Sequence, residues 1–417
     1  MRPTPRWIGI GAALGVVMAL VPVVNGRIVP QDLAQGPLAR LAQGTRLSAE
    51  TEPPSFEGLD LTAVELQPRR VTAPLPGGRT AELTLDPDLQ RTAKAVMERV
   101  KIPEAGVVLM DVRTGRLMVY ASHVSAGPAF DVNARAGAPA ASVFKIVTGA
   151  ALVESAGSNA ATSQCYRGGR SAITADELLE DPARDRWCAT LGEAMSRSLN
   201  VVFGRLAQKH LKPAELETMA GAFGFGAPVP FAVPNEAPHV DIPEAPLEFA
   251  RSAAGFWHTT LSPLAGAVLA QTVAGGGVAL EPRVVAKVLS GRDSVWEDDR
   301  PPRVLRRAVR PETAEELRKM MATTVTQGSA HRSFHTRTGE PYLPGIGVAG
   351  KTGTLTDHPK NRHYTWFVGF APAEAPEVAV SALVVNTPIW QIKAGDLARD
   401  VLRAHFARAG RPGVTRP

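Results

Sequence analysis

Cysteine is almost missing from this 417-residue chain; Cys165 and Cys188 are the only two. Two thiols cannot complete a structural metal site by themselves. No HExxH pattern joins them, and the nine histidines show no ligand spacing. These residues predict no metal site. A strong charge bias is lacking too: the formal net charge is +6 and the pI near 9.5. The basic residues are dispersed, with no aromatic-interleaved basic stripe, which argues against a nucleic-acid partner. A mildly basic surface sits more easily beside an anionic membrane or wall. There is no internal repeat. With 44% hydrophobic and 21% charged residues the chain is ordinary globular material, and disorder throughout is excluded.

One apolar run stands out. Arg2 and Arg6 precede residues 7–24, which are uncharged and mostly apolar, and polar residues resume at Asn25. As a helix rising about 1.5 Å per residue this run spans roughly 27 Å, enough for a bilayer core. It is too long for most signal-peptide cores and lacks a small-x-small cleavage site. An uncleaved signal anchor is favoured over a cleaved signal peptide, with residues 1–6 cytoplasmic and everything from residue 25 outside. In an exported protein, Cys165 and Cys188 are a candidate disulfide closing a loop of about 24 residues, stabilising by about 3 kcal/mol. Two unpaired buried thiols are the alternative.

Residues 25–78 are rich in Pro, Gly and short polar stretches and read as a membrane-proximal spacer or small accessory region, with room for a few strands. The catalytic body is expected over 79–408. It opens with an alternating, strand-like run at 80–85. Asp86 then serves as N-cap and Pro87 as first residue of a helix to about residue 100. Residues 106–112 and 116–121, around Arg113-Thr-Gly115, predict a β-hairpin. A long stretch, 142–280, carries helical signals broken by Pro/Gly loops. A helix over 311–325 follows, then strands near 347–355, 364–370 and 377–385, a helix over 396–407, and a flexible basic tail, 409–417. Strands at both ends with helices between predict an α/β fold: one antiparallel sheet, covered by helices, with a central helical block.

Three short patterns carry chemistry. In Ser142-Val-Phe-Lys145, near a helix N-terminus, the serine and lysine share one helical face. A serine hydroxyl needs a neighbouring base, and lysine serves as one only when burial or nearby positive charge lowers its pKa. In Ser196-Arg-Ser198-Leu-Asn200, a hydroxyl and an amide precede an apolar helical run. In Lys351-Thr352-Gly353-Thr354, a cation, hydroxyls and an open backbone suit a carboxylate-bearing substrate. Alone, each has a bland reading: a capping serine and a solvated lysine, a helix cap, a glycine-flanked turn.

In this order, each occurring once, the three resemble the S-x-x-K, S-x-N and K-T-G set of serine penicillin-recognising enzymes. Residues 80–405 are similar to the transpeptidase family of penicillin-binding proteins beyond the motifs as well. Leu83-Thr-Leu-Asp-Pro-Asp-Leu-Gln, the hairpin over 107–122, Thr326-Gln-Gly-Ser-Ala and the run over 366–372 all match the family. Without a glycosyltransferase domain the chain resembles a short class B member. One departure is Gly255-Phe-Trp-His, where many relatives carry a Gly-Gln-Gly-like sequence.

The resemblance implies a serine β-lactamase/transpeptidase-like fold and a peptidoglycan D,D-transpeptidase on the outer face of the bacterial cytoplasmic membrane. It implies stem peptides and β-lactams as ligands, the cell-wall synthesis machinery as partner, and no metal or organic cofactor. Ser142 would be the nucleophile and Lys145 its base, with Ser198 and Lys351 relaying a proton to the leaving D-alanine. Asn200 would bond the substrate amide, Thr352, Gly353 and Thr354 would hold the substrate backbone and carboxylate, and the backbone N–H groups of Ser142 and Thr354 would form the oxyanion hole.

Competing readings are a β-lactamase with Glu236 as deacylating base, a D,D-carboxypeptidase, and a non-catalytic member of the family. Residues 345–352 also satisfy the P-loop pattern G-x-x-x-x-G-K-[ST], with Asp111 ending an apolar strand. A P-loop must open a helix, however, and here a polar turn with Pro359 follows.

Overall fold

The computed structural model describes residues 23–24, 27–28, 52–99, 102–125, 127–169, 172–387 and 389–417. The chain divides into two units, residues 1–52 and 53–417. In the first, Val23–Val24 pairs antiparallel with Arg27–Ile28. Apart from that strand, the expected membrane-crossing run, 7–24, lies outside the described residues. Among the described residues no helix is long and apolar enough to cross a membrane.

The second unit opens with three antiparallel strands, β1 (Glu65–Leu66), β2 (Val71–Leu75) and β3 (Arg79–Leu83). The boundary expected at 78/79 therefore falls inside a hairpin turn, and the compact unit begins at Pro53. Pro74 disguised β2, because proline inside a short run argues against a strand. It is tolerated here because β1 pairs only with Val71 and Thr72, so on that side its missing N–H breaks no ladder. Helix α1 (Pro87–Arg99) begins as its cap predicts: Asp86 Oδ1 accepts the backbone N–H groups of Asp88 at 2.9 Å and Leu89 at 3.1 Å. Strands β4 (Glu104–Asp111) and β5 (Leu117–Val124) form the expected hairpin.

The central block includes α2 (Lys145–Glu154), α3 (Leu191–Arg197), α4 (Asn200–His210) and α5 (Pro263–Ala274). In α2 all residues but Glu154 are buried, and in α5 every residue is, so neither helix shows an amphipathic period. Two strands that were not anticipated, β6 (Val285–Ser290) and β7 (Asp293–Glu297), complete a five-stranded sheet in the order β7-β6-β3-β2-β1. The fold thus has two major antiparallel sheets rather than one.

Helix α6 (Pro311–Thr326) leads to β8 (Ala349–Asp357), β9 (Arg362–Ala371), β10 (Val378–Asn386) and α7 (Ala394–Arg408). These strands join the first hairpin in the antiparallel order β8-β9-β10-β4-β5. Side-chain alternation splits the core in two. Val107 and Leu109 of β4 pack with α1 and α7, whereas Val108 and Met110 pack with α5 on the other face. The sheet is therefore sandwiched between helices, which fixes its edge strand β8 rigidly against the start of α2.

Candidate active site

Ser142 sits in a single 3₁₀ turn, Ala141–Phe144, that runs straight into α2. The turn is conformationally demanding, with Ala141 at φ +49°. Gly255, at φ +88°, packs on it so closely that a Cβ there would collide with the Ala141 carbonyl oxygen. Only glycine meets both conditions.

Lys145, the first residue of α2, is fully buried. Its Nζ lies 2.8 Å from Ser142 Oγ and donates to Asn200 Oδ1 at 2.7 Å and to the Ala254 carbonyl at 2.5 Å. Burial, and then the neighbouring Lys351 charge, hold its pKa well below the ordinary lysine value. A neutral amine has two N–H groups and one lone pair. Asn200 Oδ1 and the Ala254 carbonyl can only accept, so they take both hydrogens. The lone pair is left facing the Ser142 hydroxyl.

Ser198 closes α3 with φ +59°, a left-handed position that turns its hydroxyl toward β8. There Lys351 Nζ donates to Ser198 Oγ at 2.9 Å and to the Thr352 carbonyl at 3.0 Å. Lys351 is also fully buried, which lowers its pKa to about 7. Thr352 and Thr354 share the other face of β8, and Thr352 Oγ1 lies 2.5 Å from Ser329 Oγ. Gly353 was expected to open the strand to substrate. In the structure a Cβ at this position would come within 3.2 Å of the Ala140 carbonyl and 3.3 Å of Ala141 Cβ, so the missing side chain admits the serine turn. Trp366, opposite Gly353 in the ladder, donates from Nε1 to the Pro139 carbonyl at 2.8 Å and ties the same turn to the sheet.

Ser142, Ser198, Asn200, Thr352 and Thr354 line one cleft of about 410 Å³. Among the described residues no carboxylate lines it. Glu236 is engaged elsewhere, accepting the Ala136 N–H at 2.9 Å and lying 3.6 Å from Arg135. The pattern over 345–352 enters strand β8, not a helix, so its glycines cannot cradle phosphate at a helix N-terminus. Among the described residues no group of metal-ligating side chains gathers. Cys165 and Cys188, directly opposite in the hairpin Ser163–Tyr166/Trp187–Thr190, form a disulfide, and that hairpin leads into α3.

Three contributors escaped the sequence reading. The Ala254 carbonyl leaves no mark in residue identity. Ser329 lies within the segment 326–330 already noted as family-like, but its pairing with Thr352 spans the fold. Arg197, the spacer between Ser196 and Ser198 in the sequence, also lines the cleft.

Comparison with known proteins agrees with this geometry. A family model described as the penicillin binding protein transpeptidase domain matches residues 105–405. The chain is 29% identical over 382 residues to a peptidoglycan D,D-transpeptidase PbpA of Mycolicibacterium smegmatis, covering 81% of this chain and 74% of that one. It is 33% identical over 212 residues to PbpA of Mycobacterium tuberculosis, covering 49% of this chain and 40% of that protein. Among solved structures, the D,D-transpeptidase domain of a peptidoglycan glycosyltransferase from Eggerthella lenta superposes with a TM-score of 0.65 at 24% identity, over 79% of this chain and 83% of that one. The imipenem acyl-enzyme complex of penicillin-binding protein A from M. tuberculosis gives 0.63 at 24% identity, over 78% and 79%. Both likenesses establish the shared fold.

Proposed function

The chain belongs to the penicillin-binding protein transpeptidase family, and from that premise we propose that it cross-links peptidoglycan stem peptides as a serine D,D-transpeptidase acylated by β-lactams. The observation that carries this reading is the hydrogen-bond arrangement around Lys145, which leaves a buried neutral amine one acceptor site, aimed at Ser142 Oγ. Ser142 attacks the carbonyl of the penultimate D-alanine while Lys145 takes its proton. The oxyanion is received by the Ser142 and Thr354 backbone N–H groups, donors of a kind worth about 3–4 kcal/mol each at such a centre. The Lys351–Ser198 pair delivers a proton to the departing D-alanine, whose carboxylate is held by Thr352 and Thr354. The acyl carbon then passes to the amine of a second stem peptide, and Ser142 recovers its proton.

The described residues that line the cleft include no carboxylate to activate water, which favours a long-lived acyl-enzyme over a β-lactamase. The apolar run 7–24 behind Arg2 and Arg6 supports an anchored protein whose catalytic unit works outside the cytoplasmic membrane, where its substrate is. Incubation with a D-alanyl-D-alanine peptide and an excess of a labelled D-amino acid tests the reaction. A transpeptidase yields the exchanged peptide along with free D-alanine. Release of D-alanine by hydrolysis alone would make the protein a carboxypeptidase.

A further inference from the structure

Thr148 lies one turn beyond Lys145 in α2 and is fully buried. At i and i+3 the two side chains share a helical face. A threonine inside a helix commonly returns its hydroxyl to the carbonyl four residues back. Here that carbonyl, of Phe144, is 3.5 Å from Thr148 Oγ1, whereas the Ala253 carbonyl is 2.8 Å away and takes the hydrogen. Ala253 is the last residue of the helix Pro246–Ala253, and Ala254 is its C-cap. Carbonyls at such an end have no donor within their own helix and need one from elsewhere. Helix α2 supplies both: Thr148 donates to Ala253, and Lys145 Nζ donates to Ala254 at 2.5 Å. The next residue, Gly255, packs on Ala141. Residues 253–255 therefore fasten at three successive points to the segment that carries the nucleophile.

The Ala254 contact decides which way the amine faces. With Asn200 and Ala254 taking both hydrogens of the neutral amine, its lone pair is left for Ser142. If the Ala254 carbonyl withdraws, one N–H is released and can turn to Ser142 Oγ as a donor, the wrong sense for removing a proton. Thr148 anchors the residue immediately before that carbonyl, and it does not itself line the cleft.

We propose that Thr148 is a positioning residue for acylation: by pinning the Ala253 carbonyl it holds the Ala254 carbonyl against Lys145 Nζ and so keeps the amine lone pair on Ser142 Oγ. The inference deepens the transpeptidase reading and rests on its assignment of Lys145 as the base.

The test follows acylation of the full chain by a fluorescent penicillin in stopped flow, which separates non-covalent binding from the acylation step. Thr148→Val keeps the branched shape and removes the hydroxyl. It should slow the acylation step by about tenfold, part of the 10²–10⁴-fold attached to losing a general base outright, and leave the dissociation constant within about twofold. Thr148→Ser should stay within about twofold of the wild type in both. The acid limb of the acylation profile should move to lower pH in Thr148→Val. A Lys145 ammonium has three acceptors, Ser142, Asn200 and Ala254, and loses one of them, while the neighbouring Lys351 charge is unchanged. Thr148→Ser and Thr148→Ala differ only in the hydroxyl and carry the same comparison if Thr148→Val does not fold.

A wild-type acylation step in Thr148→Val, a loss that Thr148→Ser shares, or an acid limb that stays in place would make the residue a packing element only and overturn the proposal. In each of those cases the wild type still forms its adduct, and the transpeptidase reading stands. If the wild type is not acylated at all, that reading fails and takes the proposal with it.

Discussion

Lys145 Nζ lies 2.8 Å from Ser142 Oγ, and the remaining two contacts of that nitrogen are to oxygens that can only accept. The arrangement gives a buried lysine one role toward the serine, that of base. Replacing it with an isosteric apolar chain, Lys145→Met, should slow acylation by a fluorescent penicillin by about 10²–10⁴-fold, the range expected for a lost general base. Thermal unfolding followed by circular dichroism should remain cooperative. Wild-type acylation rates in this variant would mean that another group activates Ser142.

Lys351 makes stability depend on pH with a definite sign. Burial lowers its pKa from 10.5 to about 7 in the folded protein. Between those values the unfolded chain holds a proton that the folded protein has released, so stability rises with pH across that window. Below about 7 both states are protonated, and the penalty for burying the ammonium is present in full. Denaturant midpoints at pH 6, 7, 8 and 9 should therefore climb more steeply for the wild type than for Lys351→Met. Parallel curves would show that the amine keeps its proton in the folded state.

Gly255→Ala should damage both folding and chemistry. The position has φ +88°, and an added Cβ meets the Ala141 carbonyl oxygen. A loss of about 1–3 kcal/mol follows from the backbone conformation alone. Displacing Ala141 also displaces Ser142, so acylation should fall by more than the unfolded fraction explains. Gly353→Ala, where the contacts are 3.2–3.3 Å, should show the same defect more mildly. A Gly255→Ala protein of unchanged midpoint and rate would contradict the close packing of these two segments.

The disulfide supports the approach to Ser198, because the hairpin that carries Cys188 continues into α3. Cys165→Ser/Cys188→Ser should lose about 3 kcal/mol from the unfolded-chain entropy of a loop of roughly 24 residues. Added reductant should lower the wild-type melting temperature and leave that of the double variant unchanged. A reductant-insensitive wild type would show that the two thiols are unpaired.

The residues that gather in the cleft are legible in the sequence to an unusual degree, and the chemistry proposed for them explains why. The proposed nucleophile, base and carboxylate site each require particular side chains at fixed local spacing, so Ser142/Lys145, Ser198/Asn200 and Lys351 through Thr354 stand out as short motifs. The Asp86-Pro87 cap and the hairpin around residue 114 were equally readable, since capping and turn chemistry are local. The second sheet was not. Its strands are two to six residues long, one contains Pro74, and β3 pairs with β6 some 200 positions away. Contacts made by backbone atoms were invisible for a different reason. The Ala254 carbonyl that helps hold Lys145 belongs to a residue whose identity says nothing about its role. Gly353 is visible in its motif, but its reason lies in the serine turn packed on it.

In the proposed function Ser142 is an activated nucleophile whose acyl-enzyme persists. Intact-protein mass of the full chain after incubation with a penicillin, beside Ser142→Ala, tests it most directly. A stable increase equal to the whole drug is expected in the wild-type protein and none in the variant. No increase in the wild type, or an adduct that vanishes with rapid drug turnover, would contradict it.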